Sequence, residues 1–407
     1  MKHILIILLT CFAWSQTSTS SLLGLGGIIQ NYDPSTIGAG GNTLFSSHSD
    51  EFSSSTPTSL WKTNTTRLSI STSFNRNTTD ESGRQESQLI NQISFTFPIK
   101  KTSAISFGLR PHTRSAFQIR TEYNDAEHVQ FGENVFAPAF YYHSSGGISR
   151  YFISYSKKIN DSYSLGITWN NEFGNLFLTD SVLTYSVTTN SESGETAYSL
   201  SDISTNNLTQ NFNGSSIYFE GSYTQDKNHL VMGLELVTSL TITSRNYSPA
   251  TGSESETSET IKMEFTGVKT GYEYKYDETL SGIAEVNYYK PLKTENPIFG
   301  LNNIDQLGLH AGILKRLKNS KLGRWDYLNI SMGLYSYQHK ISNGNYNDTG
   351  ISFGLGLEYF NKRNMIDLVV TAGKRTSPFE ELTNEKYINL MVGITTGEKW
   401  FIKRRKK

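Results

Sequence analysis

From Ile351 to Tyr359 the chain alternates without a break. Ile351, Phe353, Leu355, Leu357 and Tyr359 fall on one side of an extended backbone, and Ser352, Gly354, Gly356 and Glu358 on the other. The same period of two returns in other segments. Tyr163, Leu165, Ile167 and Trp169 oppose Ser164, Gly166, Thr168 and Asn170; Ile217, Phe219 and Tyr223 oppose Tyr218, Glu220 and Ser222. Near the end, Ile388, Leu390, Val392 and Ile394 oppose Asn389, Met391, Gly393 and Thr395. Such runs are strands with unlike faces, and no long 3.6-residue stripe competes with them, so helices should be few and short. A row of Ser, Gly, Asn, Thr and Glu is a poor wall for a soluble core. It suits the wet interior of a barrel whose apolar rows face lipid, and a closed sheet leaves no backbone group unpaired in hydrocarbon. A secreted soluble sandwich shares the alternation but not the reason for the polar rows.

The connections sharpen this choice. Short polar turns at Lys100–Ser103, Ile159–Ser162, Thr224–His229, Lys275–Thr279 and Asn361–Asn364 alternate with long polar segments. The long ones are 77–88, 125–147, 189–213, 246–259, 291–305, 342–348 and 376–385. Outer-membrane barrels have short turns on the periplasmic side and longer loops outside. With both ends on the short-turn side, upward strands fall at 66–76, 103–124, 162–188, 228–244, 279–290, 326–340 and 364–374. Downward strands fall at 89–98, 148–158, 213–224, 260–275, 306–317, 350–360 and 386–397. The expected fold is therefore all-β, a transmembrane barrel of about 14 antiparallel strands. That count requires one strand bent at Pro111 and another passing an irregularity near Gly174, because proline removes a ladder hydrogen bond.

Charge excludes some functions and the ends suggest others. With 37 basic and 37 acidic residues, net charge gives no nucleic-acid preference. The start, MKHILIILLTCFAWSQ, has a basic opening, an apolar run from Ile4 to Trp14 and small residues at Ala13 and Ser15. It reads as a secretory signal over residues 1–15, too short to span a bilayer. Cys11 is the only cysteine and lies within it, so the mature chain has no thiol chemistry. Residues 16–65 read as a periplasmic N-terminal segment and plug, 66–397 as the barrel, and 398–407 as a basic periplasmic tail. The eight histidines show no HExxH or two-histidine-one-carboxylate spacing, and His339 reads as a polar rim residue. No catalytic, cofactor-binding or metal-binding residue is expected, and the chain is not read as an enzyme.

The stretch LLGLGGIIQNYDPSTIGAGGNTLF is glycine-rich and precedes the first strand. Its GAGG, Gly38 to Gly41, resembles the start of the FadL-like outer-membrane transporters, the long-chain fatty-acid and aromatic-hydrocarbon family. STPTSLW, Ser55 to Trp61, stands where that family carries an Asn-Pro-Ala-Gly-Leu-like element; Pro57 and Leu60 fit, while Thr56 and Ser59 replace Asn and Gly. FGLRPHTR is similar to a bent strand early in such barrels, and YINLMVGITTGEKWFIKRRKK to the closing strand of Bacteroidetes-type members. The resemblance implies a small plug, with Gly38, Gly40 and Gly41 packed inside the barrel. It also implies diffusion-type transport of small hydrophobic or amphipathic molecules across a Gram-negative outer membrane. Ile298, Phe299, Leu301 and Ile304, apolar in a polar outer segment, are candidates for an outer groove. The partners expected are outer-membrane lipid and a hydrophobic small molecule. The alternative is an outer-membrane partner or docking component of a secretion or surface-attachment system.

The lipid face of the last strand generates a test. Leu390→Arg puts a charge among Ile388, Val392 and Ile394, at a cost of about 2–4 kcal/mol near the bilayer midplane. Deleting Lys403 to Lys407 removes charges that cannot lie in hydrocarbon. On unheated gels, the fraction running as folded barrel should fall for Leu390→Arg and change little for the tail deletion.

Overall fold

The computed structural model describes residues 27–30, 32–79, 83–120, 128–132, 134–189, 196–290, 303–319, 325–341, 344–376 and 384–398. A two-residue strand, β1 (Gly27–Ile28), a single helical turn, α1 (Pro34–Ile37), and a 3₁₀ turn (Pro57–Lys62) come first. The wall then runs β2 (Thr66–Thr79), β3 (Gly83–Lys100), β4 (Ser103–Pro111), β5 (Thr113–Arg120), β6 (Val129–Phe131), β7 (Asn134–Lys158) and β8 (Tyr163–Thr189). It continues through β9 (Thr196–Gln225), β10 (Asn228–Ser248), β11 (Ser253–Lys275), β12 (Leu280–Tyr289) and β13 (Asn303–Lys318). β14 (Tyr327–Ile341), β15 (Gly344–Tyr359), β16 (Asn364–Arg375) and β17 (Glu385–Glu398) complete it. Neighbours pair antiparallel, and β17 closes on β2 from Glu398 opposite Thr66 to Lys386 opposite Thr78. β4 and β5 form one bent staple of the wall, β6 is the short arm of the β7 hairpin, and the two-residue β1 only edges β5, leaving the barrel 14-stranded.

The two rows of each strand separate as their chemistry requires. On β15, Ile351 is 58% exposed while its neighbour Ser352 is 4% exposed. On β16, Ile366, Leu368 and Val370 are exposed while Asp367 and Thr371 are buried. A soluble protein inverts this pattern; a barrel in lipid demands it. Polar residues dominate the buried set because the interior is where hydrogen-bonding partners are.

Pro111 and Gly174 mark real departures from a regular wall. β4 pairs β7 from Ser103–Lys157 up to Pro111–Ser149, and β5 resumes only at Ser115 opposite Gly146. Between them the chain turns at His112, whose N–H reaches the carbonyl of Ile148 at 2.7 Å. Gly147, at φ +133, sits against this turn, where a Cβ would lie 2.3 Å from the Thr113 carbonyl oxygen; Gly174, at φ +144, would clash likewise with Gly147. β7 and β8 can follow the bend only because no side chains stand there.

The long polar segments differ from the sequence reading. Residues 134–147, 196–212, 253–259 and 344–348, expected as loops, are strand. β9 carries 30 residues, and its partners β8 and β10 extend with it. At 196–206 and 253–260 both faces are largely polar and exposed, and at 134–142 both rows are largely apolar, so the alternation that marks a strand disappears although the ladder continues. Thr and Ser pairs across the ladder, such as Ser181 with Thr205 at 3.0 Å and Thr241 with Thr260 at 3.0 Å, hold these extensions. Pro297, Ile298, Phe299 and Leu301 lie outside the described residues, as do residues 1–26 and 399–407 with Trp400, Phe401 and the basic end.

The bend supplies the second test. Gly147→Val adds a branched side chain where the backbone is left-handed and the Thr113 carbonyl leaves no room, at a cost of about 1–3 kcal/mol. The temperature at which the folded barrel is lost on gels should fall, while Gly221→Ala, whose nearest neighbour is the Leu165 side chain at 3.6 Å, should be neutral.

Candidate functional site

Residues 32–65 lie within the lumen, in its short-turn half, and nearly all are buried. Asp33 organises their first turn. Its carboxylate accepts from the Ser35 N–H at 3.0 Å, the Ser53 hydroxyl at 2.8 Å and the Ser54 N–H at 2.8 Å. This caps α1 and ties it to a loop twenty residues on in one step. Ile37 then packs on Val369 and Met391, two wall residues of the inward row.

The glycines set how closely this segment meets the wall. A Cβ on Gly38 would stand 2.9 Å from the Gly354 Cα, so the two backbones touch. Gly40, at φ +77, would place one 2.4 Å from the Ala311 carbonyl oxygen. Gly40 donates its N–H to the Ser352 hydroxyl at 2.6 Å, and its carbonyl lies 2.7 Å from His310 Nδ1. Gly41 has space around it, and its left-handed φ of +67 is what favours glycine there.

Polar contact follows one repeated scheme. A wall glutamate accepts both the backbone N–H and the hydroxyl of one Ser or Thr of the inner segment. Glu285 on β12 takes Thr43, at 2.7 and 2.8 Å. Glu358 on β15 takes Ser49, at 2.6 Å for each bond. Glu220 on β9 takes Thr58, at 2.9 and 2.6 Å. Arg316 on β13 does the converse, donating to the carbonyls of Ser46, Ser47 and His48 at 3.0 to 3.2 Å. Charge-assisted bonds of this kind are about twice as strong as neutral ones, and each buried charge is matched by groups that would otherwise be unpaired. Lys62 and Lys275 close on Glu51 near the short-turn end; burial opposes its ionisation, but the two ammonium groups hold its carboxyl well below the usual range.

His48 pins the segment from another side, its Nε2 2.9 Å from an Asp367 oxygen on β16. Burial alone would push its ring down; the Asp367 carboxylate, through charge and hydrogen bonding, outweighs this and raises it to about 10 from 6.5. Across the lumen, Arg150 bridges Glu172 at 2.8 Å and Glu235 at 2.6 Å, and Arg110 stacks over Tyr32 and Phe152 at 4.7 Å. The short-turn half of the lumen is thus filled by matched charges. Among the described residues no three His, Cys, Asp or Glu side chains gather as metal ligands.

Above Ile37 and Gly41 the lumen opens into a chamber of about 290 Å³. Tyr335, Tyr387 and Met391 line one side, Asn75, Leu89 and Asn91 another. His339, expected at a polar rim, stacks on Tyr346 inside it at 4.3 Å between centroids. Arg375, 2.8 Å from Asp348 and 3.2 Å from Glu385, is already paired.

The chamber meets a break in the wall. β3 pairs β4 only from Ile93 opposite Leu109 downward. Above that rung β5 swings inward, and its free edge is covered by β1: Gly27 faces Arg114, Ile28 faces Thr113, and Ile29 donates to the His112 carbonyl at 2.9 Å. The upper part of β3, Gly83 to Gln92, therefore has no strand beside it on that side among the described residues. Leu109 and Ile90, at and above the last rung, are still exposed, so the opening begins within the apolar band. Ser87, Leu89, Asn91 and Arg114 border both the gap and the chamber. Of the groove candidates, Ile304 stands exposed at the start of β13, where the register to β14 skips a residue.

Sequence reasoning placed Glu220 and Glu358 on inward rows but assigned them no role; Glu285, Asp367 and Arg316 went unnoticed. Their signal is a charged residue in an otherwise neutral inward row. Which loop residue each one holds is not written in spacing.

The BamG family model matches residues 1–285 and 332–406 of the chain. No curated protein matches it. Among solved structures it is similar to the CymD monoaromatic hydrocarbon channel, with TM-score 0.54, 11% identity and coverage of 93% of this chain and 99% of that one. It is also similar to the ΔS2S3 mutant of the TodX monoaromatic hydrocarbon channel, with TM-score 0.51, 13% identity and coverage of 89% and 98%. At such identities the likeness is one of fold alone.

The His48 contact has a pH consequence of definite sign. A ring raised from 6.5 to about 10 contributes stability that is complete below pH 6.5 and lost as pH climbs through 10. Protease resistance of residues 32–65 in the folded barrel should fall between these values. His48→Asn should flatten that fall, and Glu285→Ala should lower resistance at every pH.

Proposed function

The chain belongs to the BamG family, and from its barrel fold and lateral gap we propose that it passes small hydrophobic or amphipathic molecules across the outer membrane by diffusion. One observation carries this reading: the chamber adjoins a gap where β5 leaves the wall, so a solute can move sideways toward lipid without crossing the filled half of the lumen. The lining mixes Tyr faces, Leu89, Ile37 and Met391 with Asn and Ser, which suits a molecule with an apolar body and a polar end. CymD and TodX are named as monoaromatic hydrocarbon channels, and molecules of that size are the first substrates to try.

In this reading residues 1–15 are a signal removed on export, the chain is a Bacteroidetes-type member, and residues 16–65 include the plug, with Gly38 and Gly40 in its tightest contacts and Gly41 at a left-handed position beside them. Ile298, Phe299, Leu301 and Ile304 would form an outer collecting groove. A second reading, a docking component of a secretion or surface-attachment system, is favoured by the matched charges in the short-turn half, which leave the plug no slack to move.

Uptake of toluene by cells with and without the protein separates the two. Transport predicts faster uptake with the protein, and a reduction of about tenfold when Asn91→Trp narrows the gap. Deleting residues 32–63 should raise ion conductance in a planar bilayer. Uptake unaffected by the protein would remove the transport reading and leave the docking one.

A further inference from the structure

β11 is paired along its whole length on one side only. On β10 its partners run from Ser253 opposite Ser248 to Tyr274 opposite Asn228. On the other side β12 begins at Gly267 opposite Tyr289, with one further bond from the Lys290 N–H to the Thr266 carbonyl at 2.8 Å. From Ser253 to Phe265, about 43 Å at the rise of a strand, no described residue bonds through its backbone to the outer edge. In an antiparallel ladder every second residue turns its N–H and C=O away from the first partner, so this edge offers a row of free donors and acceptors.

The edge is held on a firm support. β8, β9, β10 and β11 extend outward together, and Ile261 packs against a buried cluster that includes Leu208, Phe212, Leu240 and Ile242. Its chemistry is one-sided. Glu254, Glu256, Glu259 and Glu264 face a single base, Lys262. Arg245 takes Glu256 at 2.8 Å and Lys290 lies 3.6 Å from Glu264, while Glu254 and Glu259 have no partner among the described residues. The remaining upper positions are Ser and Thr, and proline, the usual block to an added strand, is absent from this stretch. Met263, at φ +51, drops out of the ladder to β10 between Lys262 and Glu264 without shifting the register, so the continuous run is Ser253 to Lys262.

We propose that this edge receives an extended, lysine- or arginine-bearing segment of a partner protein, which adds to the sheet as another strand. Main-chain bonds would supply affinity, and opposite charges across the new ladder would supply choice. A second copy of this chain would set glutamate against glutamate. Residues 291–302, which follow β12, are the competing occupant; they hold two prolines and one lysine. The proposal is independent of whether the chamber conducts.

The test uses the full-length protein in lipid nanodiscs and a labelled ten-residue peptide alternating Lys and Thr. Fluorescence anisotropy should show binding at least tenfold tighter than for the same peptide N-methylated at alternate amides, and than for a Glu–Thr peptide. Hydrogen exchange should slow at those amides of Ser253–Lys262 that do not bond to β10. Glu254→Lys combined with Glu259→Lys should transfer the preference to the Glu–Thr peptide. Equal binding of the methylated peptide would reduce the effect to surface charge and overturn the proposal. Protection of those amides before any peptide is added would overturn it too, because the chain would already cover its own edge.

Discussion

Everything in this barrel follows from the closure of β17 on β2. In hydrocarbon an unpaired N–H or carbonyl has no water to turn to, and closing the sheet avoids that cost everywhere but along the short edge of β3 beside the gap. Closure sends one side row of every strand outward and the other into a space the size of which is set by the strand number. Fourteen strands enclose more room than their own side chains fill. That space must hold water or protein, and here its lower half holds the chain's own N-terminal residues.

Filling a polar space with backbone raises a second requirement. Residues 32–65 form one turn of α-helix and two of 3₁₀, so most of their N–H and carbonyl groups lack secondary-structure partners. The wall supplies them. Glu220, Glu285 and Glu358 each receive an N–H together with a hydroxyl, and Arg316 gives to three carbonyls in succession. An apolar lining would leave these groups bare, and charged rows without the segment would leave the charges bare. Each makes the other tolerable. Where the match ends, above Ile37 and Gly41, the chamber begins.

The alternation around Leu355 and Leu390 revealed the barrel because lipid and lumen ask opposite things of adjacent residues. Pro111 disclosed the bend for an equally local reason, the missing donor. The upper reaches of β9 and β11 stayed hidden because polar residues fill both rows there, and that of β7 because Val135 to Tyr142 are apolar in both, so in neither case do the rows differ. Glu285 and Arg316 were unreadable for another reason. Their partners, Thr43 and Ser46, lie more than half the chain away, and no local pattern encodes a meeting at that distance. Ser55 to Trp61 shows the limit from the other side: the departures at Thr56 and Ser59 say nothing about Thr58, which Glu220 holds.

The bond from Gly40 to Ser352 joins residues 312 positions apart. Residues 32–65 are made before the strands that embrace them, and they contact β9, β12, β13, β15 and β16 from within. Such an arrangement cannot be completed from one end to the other. Residues 32–65 have to wait, unfolded and hydrated, until the wall curls round them, or else gather strands before the sheet has closed. Contacts of this separation make folding slow and leave strand edges uncovered for longer. The price of a lumen packed with the chain's own residues 32–65 is therefore time, spent with strand edges still uncovered.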